Sequence, residues 1–167
     1  IFVDDGSTDN SLNILSKIKK QSLKKIKIKV LKHKKNQGLG VALKTGFNYV
    51  LRNANDNDLI VTMDTDNSHT IKLSYELACE IIYKNKDIVI ASRYKKNSKI
   101  KGLENFRKFL SIAAAILFKI FYPIKNIKDY TSGFRAFRVK KIRKIIRQYD
   151  NFFSEKGFSA SVDILLK

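Results

Sequence analysis

Leu59-Ile60-Val61-Thr62-Met63-Asp64-Thr65-Asp66 is a mostly apolar run of five residues leading into two carboxylates one residue apart. The apolar run predicts a buried strand. In extended backbone, side chains at i and i+2 share a side, so Asp64 and Asp66 are expected to converge just beyond the strand. Two nearby carboxylates repel, which raises the pKa of one unless a cation lies between them. Mg2+ or Mn2+, held by one or two carboxylates together with substrate phosphates, is the usual remedy. An ordinary polar strand-to-loop turn would use the same residues, so the surrounding pattern has to decide.

Upstream, Ile1-Phe2-Val3 ends a strand and runs into Asp4-Asp5-Gly6-Ser7-Thr8-Asp9, whose last three residues are good helix N-caps. Leu12, Leu15 and Ile18 then make a helical stripe. Ile26, Ile28 and Val30 alternate with Lys27 and Lys29, which predicts a half-exposed strand near a sheet edge. Asn36-Gln37-Gly38-Leu39-Gly40 is a turn into a helix with Leu43, Phe47, Val50 and Leu51 on one face. Downstream, Thr70 to about Tyr83 reads as a helix with Leu73, Leu77 and Ile81 inward. Asp87 to Ala91 reads as another buried strand, ending at Ser92-Arg93-Tyr94. Alternating strands and helices imply an α/β fold, a Rossmann-like, mainly parallel sheet flanked by helices. Ligands bind such sheets beyond the carboxyl ends of the strands, where Asp4, Asp5, Asp64, Asp66 and Arg93 all fall.

The second half changes character. Lys95 to Lys101 is a basic loop, and Phe106 to Phe121 an apolar helix ended by Pro123 and too short to span a bilayer comfortably. Packed on the sheet or lying in a membrane interface, it satisfies the same pattern. Asp129-Tyr130-Thr131-Ser132-Gly133-Phe134-Arg135 is a turn into a short extended piece. The basic helix Val139 to Gln148 follows, with Ile142, Ile145 and Ile146 on its buried side.

With 167 residues, 44% of them hydrophobic, the chain fits one folded domain and is no disordered tail. Its single cysteine, Cys79, excludes an internal disulfide, and two distant histidines give no zinc spacing. A net charge of +19 attracts nucleic acid, anionic lipid and phosphorylated substrates alike. The lysines are spread along the whole chain, with no RNP-like aromatic pattern and no helix-turn-helix signature, so nucleic acid is not an expected partner. The opening at Ile1-Phe2-Val3 and the closing apolar run Ile164-Leu165-Leu166 read as cuts inside regular structure, which predicts a part of a longer protein, truncated at both ends.

Five segments recur in an order that resembles a known family: Val3 to Asp9, Asn36 to Gly40, Met63 to His69, Ser92-Arg93-Tyr94, and Thr131 to Arg135. The series resembles the family 2 glycosyltransferases of GT-A fold, and within them the branch that loads sugars onto polyprenyl phosphates, the dolichol-phosphate mannose synthase branch. The resemblance makes residues 1–167 a single, partial catalytic domain. It implies an inverting, metal-dependent transfer of a hexose from a nucleotide-sugar of the GDP-mannose or UDP-glucose type to a dolichyl or undecaprenyl phosphate. By that resemblance Asp4, Asp5 and Gly38 lie on the nucleotide side, and Asp64 and Asp66 hold Mg2+ or Mn2+ on the donor diphosphate. Arg93 and Arg107 match arginines that grip the acceptor phosphate, and Arg135 matches a position close to the phosphates. The implied partners are the nucleotide-sugar, the lipid phosphate and the membrane surface, with a cytoplasmic, peripheral location. Transfer to a glycan or lipid-sugar hydroxyl is the competing reading, and it needs a general base. A phosphate acceptor, with its second pKa near 6, needs none. Asp129 is the nearest candidate base, and reads better as a structural partner for an arginine or a turn amide. Departures from the family pattern are Thr65 between the aspartates, Thr70-Ile71 after His69, Asp163 at a late acidic position, and the missing first strand.

Overall fold

The computed structural model describes residues 1–22, 25–67, 69–93, 117, 119–149 and 160–166. The basic loop 95–101, Arg107 and most of the apolar helix expected over 106–121 lie outside these residues. In chain order the elements are β1 (Phe2–Asp4), α1 (Ser11–Gln21), β2 (Val30–Lys32), α2 (Leu39–Asn53), β3 (Leu59–Thr62), α3 (Ile71–Tyr83), β4 (Ile88–Ile90), β5 (Arg135–Arg138), α4 (Val139–Gln148) and α5 (Ala160–Leu166). The β2 strand begins at Val30, so the alternation expected from Ile26 onward contributes only its last residue to the ladder.

The strands form two small sheets. β1 and β2 pair in parallel, Phe2 opposite Val30 and Asp4 opposite Lys32. In the other sheet the order is β3-β5-β4, with β5 antiparallel to both neighbours. β3 and β4 therefore share a direction, as the α/β reading expects, while the strand between them runs against it. Arg135 sits opposite Thr62 on one side and Ile90 on the other. This reversal governs the site. A strand running antiparallel begins where its neighbours end, so the turn at residues 131–134 lies at the same edge as the exits of β3 and β4.

Period-2 alternation along β5 sends side chains to both faces of the sheet. Phe137 faces a core with Phe47 of α2, Ile60, Val139 and Ile142 of α4, and Ile164 of α5. Phe47 and Phe137 meet edge to face, 5.5 Å between centroids, a favoured aromatic geometry. Phe134 and Ala136 face the opposite core, with Leu77 and Ile81 of α3. The predicted inward faces of α2, α3 and α4 are the ones buried. Helix α2 also touches the first sheet, where Gly46 lies close enough that an added Cβ would sit 3.4 Å from Val3.

Two arginines next to β5 stop the earlier helices. Arg138 donates to the carbonyls of Ile81 (2.6 Å) and Lys86 (2.9 Å) beyond α3. Arg143 donates to those of Leu51 (3.0 Å) and Ala54 (2.9 Å) at the end of α2, and pairs with Asp56. A cation on the last carbonyls satisfies groups the helix cannot pair itself and suits the negative end of its dipole.

Candidate functional site

Asp4 ends β1 and is 5% exposed. Its Oδ2 is buried and has no hydrogen-bond partner among the described residues. Such an oxygen is costly unless a ligand supplies a donor. Asp5, by contrast, is spent inside the protein. It accepts from the N–H groups of Gln37 (3.0 Å) and Gly38 (2.8 Å) at the start of α2, and meets His33 Nδ1 at 2.6 Å. Burial pushes the Asp5 carboxyl up, but His33 and the two amides outweigh it and hold it below the usual carboxylate range. Gly38 takes φ +92° at the N-terminus of α2, a conformation open to glycine and strained for other residues. Of the residues assigned to the nucleotide side, Asp4 alone thus combines a buried carboxylate with an unpartnered oxygen.

Asp64 and Asp66 follow β3 and are both exposed. The strand stops at Thr62 and the chain bends at residues 65–67, with Asn67 at φ +62°. The aspartates are therefore presented from a loop, and the i, i+2 geometry of a strand is not what aims them. The Asp64 side chain is 57% exposed and lies 3.7 Å from His69 Nε2. His69 packs its ring on Phe134, centroids 4.5 Å apart. A Cβ added to Gly133 would lie 3.9 Å from Asp64 Oδ2, so Asp64 stands against the turn that opens β5. Thr62 fastens that turn by donating to the Gly133 carbonyl at 2.7 Å. Among the described residues no three His, Cys, Asp or Glu side chains cluster as a closed metal cage. Both side chains bring hard carboxylate oxygens to the surface, the donor type that Mg2+ or Mn2+ takes and unlike the sulfur and nitrogen of structural zinc.

Arg93, past the end of β4, emerges at the same edge. Its Nε donates to Asp129 Oδ2 and its Nη2 to Asp129 Oδ1, both at 3.0 Å, and Nη2 also reaches Thr131 Oγ1 at 2.5 Å. Asp129 is 1% exposed and also accepts from the amides of Thr131 (3.2 Å) and Ser132 (3.0 Å). Burial would raise its pKa, but the Arg93 side chain and the amides of Arg93 and Thr131 hold it below the ordinary range. An acid so held is a poor proton acceptor, and Asp129 is the arginine partner and turn anchor that the sequence favoured.

Arg135 opens β5 and turns its side chain inward. It is 2% exposed, and its guanidinium donates to the carbonyls of Ser132 (2.7 Å), Tyr130 (2.7 Å) and Ser161. Burial lowers its pKa to about 10, opposed by the Asp129 carboxylate, so it stays charged at neutral pH. Three carbonyls, one of them from α5, converge behind the turn, and a planar, many-donor cation suits them. Arg135 holds the turn from inside and does not reach out of it. Arg107 lies outside the described residues.

The sequence reading missed His33 and Thr45. His33 is 9% exposed, bridging Asp5 and Thr45 Oγ1 (2.9 Å from Nε2). No local pattern marks these residues, because both contacts are long-range.

The sequence matches the model of the family described as Glycosyl transferase family 2 over residues 1–146. The chain belongs to glycosyl transferase family 2. Relatives of this family member include a dolichol-phosphate mannosyltransferase of Pyrococcus furiosus, 32% identical over all of this chain and 43% of the relative. An undecaprenyl-phosphate mannosyltransferase of Micrococcus luteus is 28% identical over all of this chain and 64% of its own length. A UDP-N-acetylglucosamine--dolichyl-phosphate N-acetylglucosaminyltransferase of Methanococcus voltae is 27% identical over 89% of this chain and 61% of its own length. The chain thus spans between 43% and 64% of the lengths of these three relatives. Among the described residues no helix is long and apolar enough to cross a membrane.

Proposed function

We propose that this family 2 domain carries the donor site and catalytic centre of an inverting glycosyltransferase that moves a hexose from a nucleotide-sugar to a polyprenyl phosphate. The observation that carries the reading is the gathering of Asp64, the 131–134 turn and Arg93 at one sheet edge, in a chain whose full length aligns with two polyprenyl-phosphate mannosyltransferases. Asp64 and Asp66 hold Mg2+ or Mn2+ against the donor diphosphate, and the metal supplies charge neutralisation for the departing nucleoside diphosphate. Asp4, with its unpartnered Oδ2, accepts from the nucleoside. Arg93, fixed on Asp129 yet 31% exposed, faces the acceptor phosphate, joined by Arg107. Arg135 positions the turn beneath them.

The acceptor is an oxyanion near neutral pH, so its own oxygen attacks without a protein base. That fits a site in which the nearest buried carboxylate, Asp129, is already committed to Arg93. The lipid phosphate brings the protein to the cytoplasmic surface of a membrane as a peripheral partner, where a lysine close to anionic lipid gains roughly 1 kcal/mol.

The test uses the full-length protein with GDP-mannose or UDP-glucose, Mn2+ and a short polyprenyl phosphate, counting sugar extracted with the lipid. Metal-dependent transfer, lost on chelation and in Asp64→Asn and Asp66→Asn, is expected. Transfer only to a hydroxyl acceptor, or transfer indifferent to chelator and to both variants, would overturn the reading.

A further inference from the structure

Asp5 and His33 are 28 positions apart, yet Oδ1 of one and Nδ1 of the other meet at 2.6 Å. The same carboxylate takes the amides of Gln37 and Gly38. Backbone bonds run alongside, His33 N–H donating to the Asp4 carbonyl at 2.9 Å. One acidic side chain therefore ties the exit of β1 to the exit of β2 and to the turn that leads into α2. On the other side of the ring, Nε2 lies 2.9 Å from Thr45 Oγ1 within α2. A carboxylate only accepts, so Nδ1 carries a proton and, in the neutral ring, Nε2 accepts from the Thr45 hydroxyl. The imidazole is a strut between Asp5, next to Asp4 at the end of β1, and the body of α2.

We infer that His33 is a positioning residue for the donor site, acting through Asp5 to fix the Gln37–Gly38 turn against the backbone of Asp4. The inference rests on the donor-site reading above. The route through Nδ1 to Asp5 sets donor affinity; the route through Nε2 to Thr45 steadies the ring. His33 touches no reacting atom, so its loss acts on KM for the nucleotide-sugar and leaves kcat near its starting value.

Asparagine places an amide where Nδ1 stood, and glutamine places one nearer Nε2, so the two substitutions separate the routes. The full-length protein is assayed with GDP-mannose and UDP-glucose, each variant compared at equal folded fraction from its urea curve. We expect His33→Gln and His33→Ala to raise the donor KM about tenfold, the effect of one lost hydrogen bond to a charged group. His33→Asn stays near wild type, and Thr45→Val changes KM less than about threefold. If His33→Asn fails like His33→Gln, or if every variant keeps the wild-type KM and only unfolds earlier, the inference is overturned. A wild-type protein that neither binds nor turns over either nucleotide-sugar removes the donor-site reading and the inference with it. Wild-type turnover with unresponsive variants removes the inference alone.

Discussion

Arg93 grips Asp129 with two parallel hydrogen bonds of 3.0 Å, the carboxylate sealed from solvent and the arginine partly open to it. The same carboxylate holds the amides that start the 131–134 turn. Removing the charge strands the arginine and weakens the turn at once. Asp129→Asn should destabilise the fold by about 3 kcal/mol, the range for breaking one side of a buried pair, read as a lower urea midpoint.

The pH dependence follows from the same pair. The folded-state pKa of Asp129 lies below its unfolded value, near 3.9. Its stabilisation is therefore complete above that unfolded value and is lost as pH falls through the lower, folded one. Acid titration of the wild type should show this loss, and Asp129→Asn should flatten it.

Arg93→Lys keeps the charge and gives up the fork, since an ammonium cannot span both carboxylate oxygens. The expected result is a KM for the lipid phosphate raised about tenfold, with nucleotide affinity unchanged. A change confined to the nucleotide would put Arg93 on the wrong substrate.

Arg135→Lys replaces a planar fork that reaches three separated carbonyls behind the turn with a single ammonium that cannot match their spread. An unsatisfied buried acceptor costs about 1–3 kcal/mol, so a fall of that size in unfolding free energy is expected. Activity per folded molecule should fall too, because the turn beside Asp64 loses its anchor.

Gly6 and Gly133 make a matched pair of alanine substitutions. Gly6 sits at φ +75°, where a Cβ would run into the Lys35 carbonyl carbon and lie 2.6 Å from the Asn36 nitrogen. Left-handed strain alone costs roughly 1–2 kcal/mol, and the backbone clash adds to it. Gly133→Ala meets only ordinary contact distance at Asp64 and no left-handed φ, so it should change stability by less than about 1 kcal/mol. Equal losses in the two variants would refute the steric account.

Helical periodicity was enough to foresee the buried faces of α2, α3 and α4, because apolar residues recur at helical spacing within each: Leu43, Phe47 and Val50, then Leu73, Leu77 and Ile81, then Ile142, Ile145 and Ile146. The direction of β5 was not legible. A four-residue strand reads the same forwards and backwards, and its orientation is set by the long connection before it. The burial of Arg135 was not legible for a related reason: it depends on the carbonyls of Tyr130, Ser132 and Ser161 meeting in space. Asp64 and Asp66 were visible as a pair, but the bend at residues 65–67 that presents them was not. His33 gave no local signal, since its partners are 28 and 12 positions away.

The middle strand of the larger sheet is made last, after both strands that flank it. Thr62 and the turn it fastens are 71 positions apart, so a chain still leaving the ribosome holds β3 and β4 with bare edges, open to the wrong partner. Such distant pairing slows folding and lengthens the time those edges stay open. Any shortened version that stops before Arg138 inherits that exposure permanently.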